Sequence, residues 1–216
     1  MLHARVQPVS QTLVNSALRH LIFVVAGASP VLAIAAHAFG FLKMEDAAPF
    51  IVVPAVIAAT VMIIARVPET PGAVRGLLGG LLGVAAYDAV RIPFVIAGIW
   101  PDFIPQMGAW IYGGEGENLL LGYFWRWLGD GGGMGIIFGL ACALTNWRKR
   151  LTLTGVGYGI FIWSGLIGTI ALSAYGSTVL FPITPLNFVA SLVGHLVYGS
   201  VLGWTYARLL NRETQR

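Results

Sequence analysis

"LTGVGYGIFIWSGLIGTIAL", residues 153–172, runs for 20 residues without a charged side chain. A helix rises 1.5 Å per residue, so about 20 apolar residues cross the ~30 Å hydrocarbon core of a bilayer. Inside that core each backbone amide must find its partner within its own segment, so the stretch reads as a transmembrane α-helix. Comparable runs occupy 21–42, 50–65, 73–98, 119–145 and 187–210. The fold class is therefore all-α, a six-helix transmembrane bundle. Composition agrees: 57% of the 216 residues are hydrophobic and 10% are charged, against about 25% charged in a soluble domain. The second run, 50–65, is short for a crossing. Such a mismatch is often sheltered by a neighbouring helix.

The cations thread the chain. With six spans, one side of the membrane receives Arg5, Arg19, Arg66, Arg75, Arg148, Lys149, Arg150, Arg208, Arg212 and Arg216, and the other only Lys43. By the positive-inside rule both termini are expected in the cytoplasm. Residues 1–20 read as an interfacial segment with Arg5, Arg19 and His20 toward headgroups. Residues 21–210 read as a single transmembrane domain, and 211–216 as a cytoplasmic tail. "AIAAHA" at 33–38 has an A-x-A-like pattern, but the basic region before it is long for a signal peptide and the apolar run continues past it. Span 1 is expected to be retained.

The net charge of +4 sits at span ends rather than in a basic domain. The expected partners are membrane lipids, and not nucleic acid. Cys142 is the single cysteine, which excludes an internal disulfide and a cysteine-built metal cage. The connection "IWPDFIPQMGAWIYGGEGEN", 99–118, is rich in aromatics and acids. A loop lying on the membrane surface is the favoured reading over a structured, partly re-entrant cap.

Glycines recur at intervals of four: Gly131, Gly135 and Gly139 in span 4, then Gly199 and Gly203 in span 6. This spacing lines one helix face with small groups and lets backbones approach closely. A shift of 64 residues superposes Gly135 on Gly199, Gly139 on Gly203 and Gly131 on His195. Spans 3–4 and 5–6 can thus be read as a parallel repeat of one helical hairpin.

"GVAAYDAVRIPF", 83–94, then poses the functional question, because it sets Asp88 and Arg91 inside a span. Counting helix rise from the nearer end places Asp88 roughly 15 Å deep and Arg91 roughly 10 Å. Span 4 brings Arg126 to about 10 Å and Asp130 to about 16 Å, and span 6 brings His195 to roughly 13 Å. A lone charge at such depth costs several kcal/mol. The expectation is a neutral cluster of two aspartates and two arginines, with Asp88 and Arg91, and Arg126 and Asp130, each spaced to pair on one helix face, with His195 beside it and Tyr87, Tyr123, Tyr158 and Tyr198 at its edges. Pro93 and the "GDGGG" run at 129–133 would break helix regularity at this level. His37 is left outside the cluster. Metal is not expected, since no two histidines have helical ligand spacing and the arginines already supply counter-charge. No cofactor is expected either: the chain has no Walker loop, G-x-S-x-G or H-E-x-x-H motif.

"AYDAVRIPF" (86–94) and "GHLVYGSVLG" (194–203) resemble segments of small bacterial multi-span proteins of unknown function. In those a histidine is common four residues before the repeated glycine of span 4, where this chain has Gly131. The resemblance implies a prokaryotic inner-membrane protein and brings no activity.

Three functions follow from these features. The first is a transporter or channel-like protein that handles protons, an anion or a small polar solute through Asp88, Arg91, Arg126, Asp130 and His195. The second is an accessory subunit of a homo-oligomer or larger membrane complex, with a purely structural charge network. The third is a membrane enzyme for a lipid or isoprenoid, with an aspartate and His195 as acid and base.

Overall fold

A computed structural model describes residues 9–215, with side chains from Asn15 onward except Thr214. It is a bundle of six helices long and apolar enough to cross a membrane. We number the helices α1 (Val9–Phe39), α2 (Met44–Ile64), α3 (Thr70–Ile96), α4 (Ile104–Trp110), α5 (Leu119–Leu144), α6 (Leu151–Leu172), α7 (Gly176–Val179) and α8 (Pro185–Thr214). The spans are α1, α2, α3, α5, α6 and α8. Asn118 caps α5 by accepting from the Leu121 amide, and Thr184 caps α8 by accepting from the Asn187 amide.

Three expectations need correction. The second span is not short. It begins at Met44 and runs 21 residues through a π-helical turn at Ala48–Val52. Pro49 and Pro54, which lack amide hydrogens, are absorbed in and just after this turn. The mismatch that favoured a sheltering partner is therefore gone. Second, α1 starts at Val9 and continues without a break into the first span, so the described part of the expected interfacial segment belongs to that helix. Residues 1–8 lie outside the described part. Third, Pro93 does not interrupt its helix, whereas the glycine run does disturb helix regularity as expected. α3 continues past Pro93 to Ile96, and α5 widens into a π-helix over Trp125–Gly133.

Side by side, α6, α8, α3, α5 and α1 form a ring, closed where α1 meets α6, with α2 packed outside against α1. Glycine sets the spacing of this ring. A Cβ on Gly76 would overlap the Gly135 carbonyl, and one on Gly80 the Gly131 carbonyl. In the second hairpin Gly155 meets the Gly199 carbonyl and Gly159 the His195 carbonyl in the same way. Gly72 faces Gly139 as Leu151 faces Gly203. The two hairpins thus pack in one register, and His195 occupies the place that Gly131 holds in the first. The repeat delivers Asp130–Gly131 and His195 to matching heights.

Tyrosines bolt the two hairpins together. Tyr198 donates to the Gly131 carbonyl at 2.8 Å, Tyr206 to the Gly139 carbonyl at 3.1 Å and Tyr158 to the Met134 carbonyl at 2.9 Å. In a π-helical stretch, and beside it, carbonyls lose regular partners, and these hydroxyls reach some of them.

The 99–118 connection is not a surface loop. It folds into α4, with Trp100, Ile104 and Met107 buried in the end of the bundle. The 173–184 connection adds Leu180 and Phe181 to the same apolar cluster. Together they form a cap over the ring.

At the opposite end Glu69 precedes α3 and is buried. Arg19 Nε donates to it at 2.8 Å, and His20 Nδ1 lies 3.5 Å away. Burial pushes the Glu69 carboxyl up, but the Arg19 hydrogen bond and charge outweigh it and hold the group below its ordinary value.

Two predictions follow from packing and charge. Gly135→Ala is expected to lose roughly 1–3 kcal/mol through overpacking against the Gly76 carbonyl. Gly157→Ala, which meets open space, leaves stability unchanged or slightly raised. Thermal melts in detergent compare the two. Glu69 ionises more readily folded than unfolded, so its contribution is present at neutral pH and fades as pH drops through and below about 4. Melting temperature should fall less steeply between about pH 5 and 3 in Glu69→Gln than in the wild type.

Candidate functional site

Asp88 is almost wholly buried, at 1% exposure, on the face of α3 that turns to α5. One carboxylate oxygen accepts from Arg126 Nε at 3.1 Å and lies 3.5 Å from Arg91 Nε. The other accepts from the indole of Trp127 at 3.0 Å. A carboxylate in an apolar bundle needs its lone pairs occupied: Arg126 and Trp127 donate to it from α5, and Arg91 on α3 adds an opposite charge without a hydrogen bond. Arg91 turns its other nitrogens toward the cap. Its Nη1 donates to Asp102 at 3.0 Å and its Nη2 to the Tyr123 hydroxyl at 2.8 Å. Tyr123 in turn donates to Asp102 at 3.4 Å, and Asp102 accepts from the Ile104 amide at the start of α4. One continuous network therefore ties α3, α5 and the cap.

The cluster differs from the expected quartet. Asp102 and Trp127 are members that sequence spacing did not supply. Asp102 sits in a connection with no helical period to place it, and Trp127 is next to Arg126 rather than one turn away. Asp130, expected to pair with Arg126, makes no hydrogen bond through its buried Oδ1. Arg126 is taken by Asp88 and by the ring of Tyr87, over which its guanidinium stands at 4.5 Å. Of the four tyrosines, Tyr87 and Tyr123 touch the charges. Tyr158 and Tyr198 instead lock helix to helix through the carbonyl bonds described above. His37 stands apart, stacked on Trp110 of the cap at 4.8 Å.

What the network leaves unpaired faces a cavity of about 120 Å³ inside the ring. Asp130, His195, Arg126, Arg91 and Tyr87 line one part, and Trp100, Phe103 and Phe181 from the cap line another. A smaller space of about 50 Å³ lies against the same Asp130 and His195 and ends at Met134 and Tyr198. His195 is buried and packs edge-on to Tyr87. Its Nδ1 is 2.8 Å from the Ser191 carbonyl. A carbonyl only accepts, so Nδ1 carries the hydrogen and Nε2 of the neutral ring holds the lone pair. Among the described residues no group of three or more His, Cys, Asp or Glu is placed to hold a metal ion.

The five charged groups do not balance. Asp88, Asp102 and Asp130 stand against Arg91 and Arg126, so with all ionised the site carries one net negative charge. Asp102 creates the excess, and a proton on Asp130, whose buried Oδ1 has no hydrogen-bond partner, would remove it.

A family model matches residues 70–216. The chain belongs to that family, a family of unknown function (DUF6789). No curated protein and no solved structure matches the chain. The DUF6789 match begins where α3 begins, so it takes in both hairpins, the cap and every member of the charge network. α1 and α2 fall outside it. α1 nevertheless completes the cavity wall with Val31, Ile34 and Ala35.

Proposed function

We propose that this integral membrane protein is a small transporter of the prokaryotic inner membrane, with both termini cytoplasmic and the capped end outward. It handles protons at Asp130 and His195. The asymmetry of Lys and Arg along the chain supports that orientation. The single observation that carries the reading is Asp130, whose buried Oδ1 has no hydrogen-bond partner, on a cavity that it shares with His195, Arg91 and Arg126. Intramembrane ionisable groups that line a cavity are the usual mark of ion and proton paths. The Asp88–Arg91–Arg126 part holds the helices in place, and the Asp130–His195 part meets the solute.

The inner end of this path is closed by aromatic packing of Phe138 with Tyr158 and Tyr206. The outer end is closed by the cap. A site shut at both ends by side chains is compatible with alternating access, in which one hairpin rocks on the other. The seam for such movement is α3 against α8, where Gly79 and Gly83 meet Leu202 and Tyr198.

The test is reconstitution into liposomes that enclose a pH-sensitive dye. An imposed pH gradient should collapse faster with the wild type than in empty vesicles, in the presence of an external cation mixture containing sodium, potassium and ammonium salts. Asp130→Asn should slow that collapse at least tenfold, and His195→Gln should slow it less. Collapse at the empty-vesicle rate, or at the wild-type rate in Asp130→Asn, contradicts the proposal.

A further inference from the structure

We infer that Arg126 is a switch: it pairs with Asp88 while Asp130 holds a proton, and exchanges Asp88 for Asp130 when that proton leaves. This rests on the proposed proton site at Asp130 and gives that site a moving part. Two buried groups carry the inference. Asp130 Oδ1 has no hydrogen-bond partner, and neither has Arg91 Nε. A buried polar atom without a partner costs free energy, so two of them in one network call for a reason. Here a single movement satisfies both. Arg91 Nε lies 3.5 Å from Asp88 Oδ1, the same oxygen that accepts from Arg126 Nε at 3.1 Å. When Arg126 withdraws, Arg91 Nε is the donor that replaces it. Arg126 and Asp130 are four residues apart on α5, and both line the central cavity and the smaller space beside it. Arg126 can therefore turn to Asp130 along the cavity wall.

Charge counting gives the movement its trigger. With a proton on Asp130, Arg91 matches Asp102 and Arg126 matches Asp88. Loss of that proton leaves three carboxylates for two guanidinium groups. Arg91 is fixed, with Nη1 on Asp102 and Nη2 on Tyr123. Arg126 is the guanidinium free to be shared. Its departure does not strand Asp88, because Trp127 still donates to Oδ2 at 3.0 Å and Arg91 Nε closes on Oδ1. The other groups around Asp130 do not compete for it. His195 on α8 has Nδ1 on the Ser191 carbonyl and offers a lone pair at Nε2. Tyr198, also on α8, donates to the Gly131 carbonyl. Tyr87 on α3 lies under the Arg126 guanidinium. The residues that α1, α6 and the cap contribute to these spaces carry no charge. The exchange changes the contact of Arg126 with the Tyr87 ring, which packs against both His195 and Trp100 of the cap.

Electron cryomicroscopy of the full chain in lipid nanodiscs with a bound antibody fragment, at about pH 5 and about pH 9, reads the pairing directly. At the acid value Arg126 is expected on Asp88, with Arg91 Nε short of a hydrogen bond. At the alkaline value Arg126 is expected within hydrogen-bond distance of Asp130, and Arg91 Nε within hydrogen-bond distance of Asp88. Asp130→Asn, which has no proton to lose, should keep the acid arrangement at both. Thermal melts give a second readout. The Tm losses of Asp130→Asn and Arg126→Gln should add in the double variant at the acid value and fall clearly short of adding at the alkaline value, as they do for groups in contact. An Arg126 that stays on Asp88 at both values in the wild type, or Tm losses that add at both, overturns the inference. Should that be found while vesicles still show Asp130-dependent collapse of a pH gradient, the switch falls and proton transport stands. Should the pairing exchange with pH while the gradient persists as in empty vesicles, the switch stands and the transport reading falls.

Discussion

Asp88 is held between two guanidinium groups and an indole N–H in the middle of an apolar bundle, and most of the architecture can be understood as what makes that arrangement affordable. Neither Asp88 nor Arg126 could remain charged alone among lipid-facing helices. Each must have the other, and so α3 and α5 must stay in one register. The glycine seam between them permits the approach, because a methyl at Gly76, Gly80 or Gly135 would collide with the opposite backbone. The π-helical stretch at Trp125–Gly133 lets Arg126 and Trp127 both reach Asp88 while Asp130 still faces the ring interior. Packing, backbone irregularity and charge pairing are three aspects of one constraint.

The same constraint joins the cap to the membrane part. Arg91 has more donors than Asp88 can use, and the surplus goes to Asp102 and Tyr123. Asp102 also accepts the Ile104 amide, so the start of the cap helix is fixed by a residue whose charge is fixed by α3. A movement of the cap would have to break this tie or carry Arg91 with it. The cavity lies against Trp100 and Phe181, so the cap forms part of its wall.

Much of this was legible in the residues. A helix has a fixed rise, so counting from span ends was enough to bring Asp88, Arg91, Arg126 and His195 to one level. The four-residue glycine spacing foretold the seams, and the 64-residue shift foretold that the two hairpins share a register. What escaped had a different physical origin. Asp102 lies in a connection, where no period assigns a depth, and the aromatic richness of that segment was equally compatible with a membrane surface. The regular α-helical face assumed for Arg126 and Asp130 hid the role of Trp127. The glycine run was rightly read as an irregularity, but its form, widened turns with the Gly131 and Met134 carbonyls taken by Tyr198 and Tyr158, depends on neighbours that spacing does not show. The pairing of Asp130 with Arg126 failed because Arg126 was already claimed by Asp88 and Tyr87, a competition that spacing along one helix does not reveal.

The central claim is that Asp88 and Arg126 exist in this bundle as a mutually dependent buried pair, so a double-mutant cycle on their stability is the most direct measurement. Asp88→Asn, Arg126→Gln and the double variant would be melted in the same detergent as the wild type. Removing one member of a buried pair strands the other, at a cost of about 3–5 kcal/mol. The account predicts that the double variant is more stable than the sum of the two single losses allows, by at least 1 kcal/mol on the order of coupling seen between contacting groups. Strictly additive losses, or single variants as stable as the wild type, would contradict it.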